Sequence, residues 1–167
     1  KVGEKYSTNF IYNLDEKGLQ VAFEGIEELH NCITLTMVFN PEIKSLRVHD
    51  RINKLKRKYL YTPEKSIVYS KEGEKKLSME AFEIHENSKK YVKNYLVYLG
   101  EIVTTVIEIG KNEDLYYIVP KEPKCPVIFS DFPLIGSQDF PFGCYFNSPS
   151  FSANEFGSGL LLMGDSE

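Results

Sequence analysis

Between Ser66 and Pro120, turn signals recur about every 8–15 residues, and this spacing constrains the fold more than any other feature of the chain. Strand-like runs SIVYS (66–70), LSMEAFEIH (77–85), YVKNYLVYL (91–99), EIVTTVIEI (101–109) and LYYIVP (115–120) are separated by KEGEKK, centred on Gly73, then by ENSKK, Gly100 and GKNED. Connections this short join antiparallel neighbours, because parallel strands need a crossover of a dozen or more residues. The pattern predicts a β-meander. LSMEAFEIH sets Leu77, Met79 and Ala81 on one face and then shifts phase at Phe82 and Ile84, which predicts a bulge. The 11 Tyr suit half-buried sheet faces with hydroxyls reaching water. A Tyr-rich face serving as a ligand platform is the sharper alternative.

The N-terminal part reads differently. STNFIYNL (7–14) predicts a short strand. Asp15 is placed to cap a helix, with Glu16 against the positive end of its dipole. Leu19, Ala22, Phe23, Ile26, Leu29 and Ile33 recur at helical spacing. The helix is expected over about 16–31, with Gly25 allowing close approach to a sheet. CITLTMVF (32–39) then reads as a strand ending at the turn signal Asn40-Pro41, and IKSLRVH (43–49) as a second. DRINKLKRKYLYTPEK (50–65) carries Lys54, Lys56, Arg57 and Lys58, read as a solvated edge or loop. The fold class expected is therefore α+β: a largely antiparallel β-sheet with one main helix packed on it.

Composition removes several function classes. A chain of 167 residues can bury roughly 70% of its unfolded surface, so stability requires neither metal nor disulfide. A net charge of −4 gives no electrostatic footprint for nucleic acid or an anionic membrane. No apolar run approaches the ~20 residues of a membrane span, and no signal peptide is recognisable. Cys32, Cys125 and Cys144 lack metal-ligand spacing and read as buried free thiols of a cytoplasmic protein. An opening Lys1 and the small polar close Gly164-Asp165-Ser166-Glu167 suggest a segment of something longer.

Catalytic constellations are sparse. His30 is expected near a helix C-terminus, where a charged imidazole is favoured. His49 and His85 fall at expected strand ends, and no His pair has metal-ligand spacing. Gly157-Ser158-Gly159 is too short for a nucleophile elbow, and neither a phosphate loop nor a dinucleotide fingerprint occurs. No catalytic, cofactor-binding or metal-ligating residue is assigned.

The densest aromatic region is DFPLIGSQDFPFGCYFNSPSF, Asp131–Phe151. So many Phe residues exclude a flexible linker. VIFSDFPLI reads as a buried strand entering a Pro-set turn. FPFGCYFN reads as a second strand, with Cys144 and Phe146 on one face and Tyr145 on the other. Together they read as a hairpin-like core unit.

This region also carries a family resemblance. The pattern FPLIG-x-x-DFPF-x-x-x-FNSP-x-F-x-x-NE, through Phe132, Pro133, Leu134, Gly136, Phe140, Pro141, Asn147, Ser148, Pro149, Phe151, Asn154 and Glu155, resembles a motif of bacterial ATP-binding proteins related to the 90-kilodalton heat-shock chaperone. It is similar, more weakly, to the repeated segment of sacsin. Thr8-Asn9-Phe10-Ile11-Tyr12, LQVAFEGIEEL and TLTMVFNPEIKSLRV are similar to the segment that follows the nucleotide lid in these proteins. The resemblance implies that residues 1–49 form a strand–helix–strand ending a GHKL-class ATPase domain. Residues 50–167 would then begin a β-rich middle or transducer domain, or the whole chain would form one unit. It places ATP and magnesium upstream, with no nucleotide site in this segment. It implies the upstream ATPase domain of the same chain as partner, with protein clients. Glu27 and Asn31 match the family's E-x-x-x-N, but Thr34 stands where an Asp follows in that family. Asn154-Glu155 is followed by Phe156-Gly157-Ser158-Gly159, without the family's Arg. The alternative to a chaperone-type coupling segment is a stand-alone peptide- or protein-binding module.

Overall fold

In the computed structural model the described residues are 10–62, 69–71 and 74–151. Of the predicted strand at 7–14, residues 7–9 lie outside the described residues and residues 10–14 form no strand. Residues 10–15 are irregular, and Phe10, Ile11, Tyr12 and Leu14 are exposed. Asp15 caps the helix as expected, its side chain accepting from the Gly18 N–H at 2.7 Å.

That helix, α1 (Glu16–Phe39), runs eight residues past its expected end and takes in all of CITLTMVF. The run read as a strand because it is apolar, β-branched and not amphipathic. Its helical form is explained by burial all round: Cys32 through Met37 are all buried. A helix enclosed on every side needs no polar face. The hydroxyl of Thr36 and the thiol of Cys32 donate to carbonyls one turn back, so neither is left unsatisfied. The last turn closes on Asn40, whose N–H donates to the Thr36 carbonyl at 2.8 Å. Gly25 does not face the sheet; a side chain added there would meet open space.

The α+β architecture follows. The sheet contains β1 (Ser45–Asp50), β2 (Leu55–Tyr61), β3 (Tyr69–Lys71), β4 (Glu74–Glu86), β5 (Lys89–Leu99), β6 (Thr104–Asn112), β7 (Leu115–Ile118), β8 (Ile128–Ser130), β9 (Phe132–Pro133) and β10 (Tyr145–Asn147). Its path is β1-β2-β4-β5-β6-β10-β8-β9, with β3 beside β4 and β7 beside β6. All pairs are antiparallel except β10 with β8. The Phe-rich region is therefore not a simple hairpin. A tight β8–β9 hairpin turns at Asp131 (φ 61°), and β10 returns parallel to β8 to fill the gap beside β6. The meander turns are tight: Glu86 pairs with Lys89 across Asn87-Ser88, and Asn112 with Leu115 across Glu113-Asp114. Asn87 and Glu113 adopt left-handed backbone (φ 51° and 52°), as two-residue hairpin loops require.

No bulge interrupts the β4–β5 ladder between Leu77 and Glu86. The phase shift in LSMEAFEIH reflects a strand apolar on both faces. Phe82 and Ile84 join the α1 core, while Ala81 is buried on the other side. The register irregularity lies instead between Tyr69 and Ser70, opposite β4. Strand β6 starts at Thr104, not at Glu101.

The core sits between α1 and one sheet face. Leu35 and Met37 of the helix join Tyr59, Phe82, Ile84, Tyr95, Val97, Val106, Phe129 and Tyr145. Tyr59, Tyr95 and Tyr145 are fully buried, against the expectation that tyrosine hydroxyls reach water. Their partners lie within the protein. The Tyr95 and Thr34 hydroxyls bond at 2.6 Å, Tyr59 bonds His30 at 2.7 Å, and Tyr145 accepts the Glu122 N–H at 3.2 Å. Burial raises the Tyr95 hydroxyl pKa well above its ordinary value, so it stays protonated.

Candidate functional site

The region Val127–Phe151 divides into a locked base and an exposed crest. Val127, Ile128 and Phe129 of the β8 region are buried, and Phe129 packs its ring on Phe39 of α1 at 4.8 Å. Two asparagine side chains hold the left-handed Asp131. Asn40, at the end of α1, donates through Nδ2 to the Asp131 carbonyl, and Asn147 accepts the Asp131 N–H through Oδ1 at 2.7 Å. Ser148 is fully buried; its N–H donates to the Phe129 carbonyl at 3.2 Å and its hydroxyl oxygen accepts from Ser150 N–H at 3.1 Å. Gly136 takes φ 99°, a left-handed conformation that favours glycine.

Ser137 is the keystone that the sequence did not single out. Its buried hydroxyl donates to the Leu134 carbonyl at 2.7 Å and accepts from the N–H groups of Val127 and Ile128 at 3.2 and 3.1 Å. Ser137→Ala leaves two buried donors without that acceptor and is expected to cost about 1–3 kcal/mol in urea unfolding. A variant as stable as the parent would mean that the loop holds without it.

The crest is apolar and open. Phe132 is 60% exposed, Phe140 41% and Phe142 44%, and Ile135 is also exposed. Phe140 stacks on Phe142 at 6.1 Å, and Phe142 meets Phe146 edge-on at 5.4 Å. The reading of this region as core thus holds for Phe129, Leu134 and Tyr145 and fails for four large apolar side chains. A second exposed apolar group lies on β7, where Leu115, Tyr116, Tyr117 and Ile118 are all exposed. There Tyr117 lies over Gly110, and a Cβ on that glycine would come within 2.2 Å of the ring.

The remaining candidates resolve into structural roles. Glu27, the acid of E-x-x-x-N, lies on an exposed helix face and pairs with Arg57 at 3.0 Å. Arg57 is itself buried, so its part of the basic cluster is not a solvated edge. It lies in the second strand of the sheet and also pairs with Glu86 at 2.6 Å. The bond from Arg57 holds the Glu86 carboxyl below the usual carboxylate range. His30 is in mid-helix, not near a C-terminus. Burial, and secondarily the Arg57 charge, lower its pKa from the ordinary 6.5. A neutral imidazole accepting the Tyr59 proton at Nδ1 satisfies this arrangement. His49 and His85 are each one residue from a strand end, and His85 reaches Glu83 at 3.2 Å.

Cys32 and Cys125 are buried and Cys144 is half-buried; all three are free thiols. Desolvation pushes the Cys32 thiol up to about 11 and raises Cys125 and Cys144 as well, which disfavours the reactive thiolate. Among the described residues no group of three or more His, Cys, Asp or Glu is arranged to hold a metal ion. No described helix is long and apolar enough to cross a membrane. Asn154, Glu155 and the Gly157-Ser158-Gly159 turn lie outside the described residues.

No protein-family model matches this chain, and no curated protein or solved structure matches it significantly.

Proposed function

We propose that this chain is a non-catalytic coupling segment of an ATP-driven protein related to the 90-kilodalton heat-shock chaperone, and that it works by docking. The observation that supports docking is the aromatic crest Phe140–Phe142–Phe146 on a base locked by Ser137, Asn147 and Ser148. Aromatic side chains held rigidly at a surface lose little entropy on binding and are the residues that dominate interfaces. The link to ATP rests on the resemblance of the FPLIG and FNSP residues to that family. In this reading ATP and magnesium are handled upstream in a cytoplasmic parent protein, and the crest meets the ATPase domain of the same chain or a client protein.

The test compares parent protein with segment. The 167-residue chain is expected not to turn over ATP, and the parent protein is. In the parent, Phe140→Ser with Phe142→Ser is expected to lower turnover about five-fold or more, equivalent to one lost interface anchor. Unchanged turnover in a folded double variant would remove the coupling role.

The exposed β7 ribbon favours a second reading, a peptide-binding module that adds an extended apolar strand at this edge. Saturable amide shifts confined to Leu115–Ile118 on titration with extended apolar peptides would favour it over the first.

A further inference from the structure

The sheet face turned away from α1 carries a row of basic residues. In the β1–β2 ladder Arg47 stands directly opposite Lys58, and His49 opposite Lys56. Lys58 stands opposite His85 on β4, and His85 opposite Lys90 on β5. Basic residues therefore occupy one level across four adjacent strands. Glu83 pairs with Lys90 at 2.7 Å and reaches His85 at 3.2 Å. Lys56 and Lys58 have no side-chain ion pair or hydrogen bond among the described residues.

The same side chains line a groove. Two adjoining hollows, of about 640 and 330 Å³, share His49, Lys56 and Asn87. Arg51 and Lys54 extend the first, and Arg47 and Lys58 the second. Arg57 also borders the second, but its charge is matched by Glu27 and Glu86. Asp50 is the one carboxylate among the described lining residues, and it is committed to the turn. Its Oδ1 accepts from the N–H groups of Ile52 and Asn53 at 2.9 and 3.0 Å, and its Oδ2 from the Asn53 amide at 2.7 Å. The frame is fixed as well. Asn87 accepts the Lys56 N–H at 3.0 Å and donates its own N–H to the Lys56 carbonyl at 2.8 Å, tying β2 to the β4–β5 turn.

We infer that this groove binds a small polyvalent anion with clustered phosphate oxygens, held by Lys56, Lys58, Arg51 and Lys54. The hollows are more open than enclosed, so a ligand there is held by charge at the surface and not by burial. The site is too short and the chain too acidic for a nucleic-acid track. An anion seated there would meet the ammonium groups of Lys56 and Lys58, which make no side-chain ion pair or hydrogen bond among the described residues.

The experiment titrates inorganic triphosphate into the whole chain and follows backbone amide shifts. The expected result is a saturable change centred on Arg47–Lys58 and Asn87-Ser88. Lys56→Gln with Lys58→Gln is expected to weaken binding about ten-fold or more, the loss of roughly one charge-assisted contact. The same double variant, free of ligand, is expected to be as stable as the parent in urea, because neither lysine makes a side-chain ion pair or hydrogen bond among the described residues. A merely structural role for the lysines would instead lower stability. The proposal is overturned by the absence of saturable shifts, by shifts that survive unchanged in the double variant, or by a single-stranded oligonucleotide that binds the same amides more tightly than triphosphate.

Discussion

Phe129→Ala is expected to lower the unfolding free energy by about 3–5 kcal/mol, whereas Phe142→Ala is expected to change it by about 1 kcal/mol or less. Both belong to the same aromatic region, so the contrast tests its division into base and crest. Phe129 has no exposed surface and stacks on Phe39, so truncation opens a cavity between α1 and β8. Little can collapse into it. The Phe129 carbonyl receives the Ser148 N–H, and the next turn is held by Asn40 and Asn147. Among the described residues Phe142 makes ring contacts with Phe140 and Phe146, and it already has 44% of its surface in water. Its removal forfeits part of an aromatic pair and leaves no buried void. Urea unfolding followed by far-ultraviolet circular dichroism suits both variants, since the chain has no Trp to report by fluorescence. Equal losses for the two would mean that the crest is part of the core and would remove the surface on which the docking proposal stands.

The meander was legible because its information is local. Short turns fix antiparallel pairing over β4 to β7 without reference to the rest of the chain, even where alternation fails, as in β4. The helix was legible only as far as its amphipathic face lasted. Past Asn31 the run CITLTMVF offers no periodicity, and an apolar run of this length suits a buried strand or a buried helix equally. One signal did favour the helix: no Gly or Pro stands between Gly25 and Asn40 to end it. The β8–β10 arrangement was hidden for a different reason. A parallel pair separated by the Asp131–Cys144 connection is decided by which gap beside β6 needs filling, and no local pattern encodes that. The basic groove was hidden in the same way. Lys54, Lys56 and Lys58 stand at alternate positions of one run, but Arg47, His49 and His85 join them only through the β1–β2–β4 register.

Arg57→Ala is expected to cost about 2–4 kcal/mol at neutral pH, toward the lower side of buried pairs because one partner is solvated. Arg57 is the bridge between α1 and the β4–β5 hairpin: its Nη1 donates to Glu27 and its Nε to Glu86. The two carboxylates differ in exposure, 62% for Glu27 and 32% for Glu86. A double-mutant cycle should therefore give a coupling of about 1 kcal/mol or less with Glu27→Gln. The cycle with Glu86→Gln should give a larger one. Arg57→Met separates the stem from the charge; it keeps the apolar packing in the core and should recover part of the loss. Acid adds a second readout. Glu86 has a lowered pKa in the folded protein, so its stabilisation is present above the ordinary 4.5 and is lost as the pH falls through the folded value. His30 also has a lowered pKa, so the unfolded chain takes up its proton first, and stability falls as the pH drops below 6.5. Both effects make the parent less stable in acid, and Arg57 contributes to both. In Arg57→Ala the His30 pKa should rise, because the Glu86 and Glu27 charges that raise it are no longer opposed by the guanidinium, and the fall in stability between pH 7 and pH 4 should be shallower. Imidazole proton shifts in parent and variant measure the first, and urea midpoints across that range measure the second. An Arg57→Ala protein with an unshifted His30 and a parent-like pH profile would show that the buried guanidinium governs neither the helix–hairpin joint nor its charge balance.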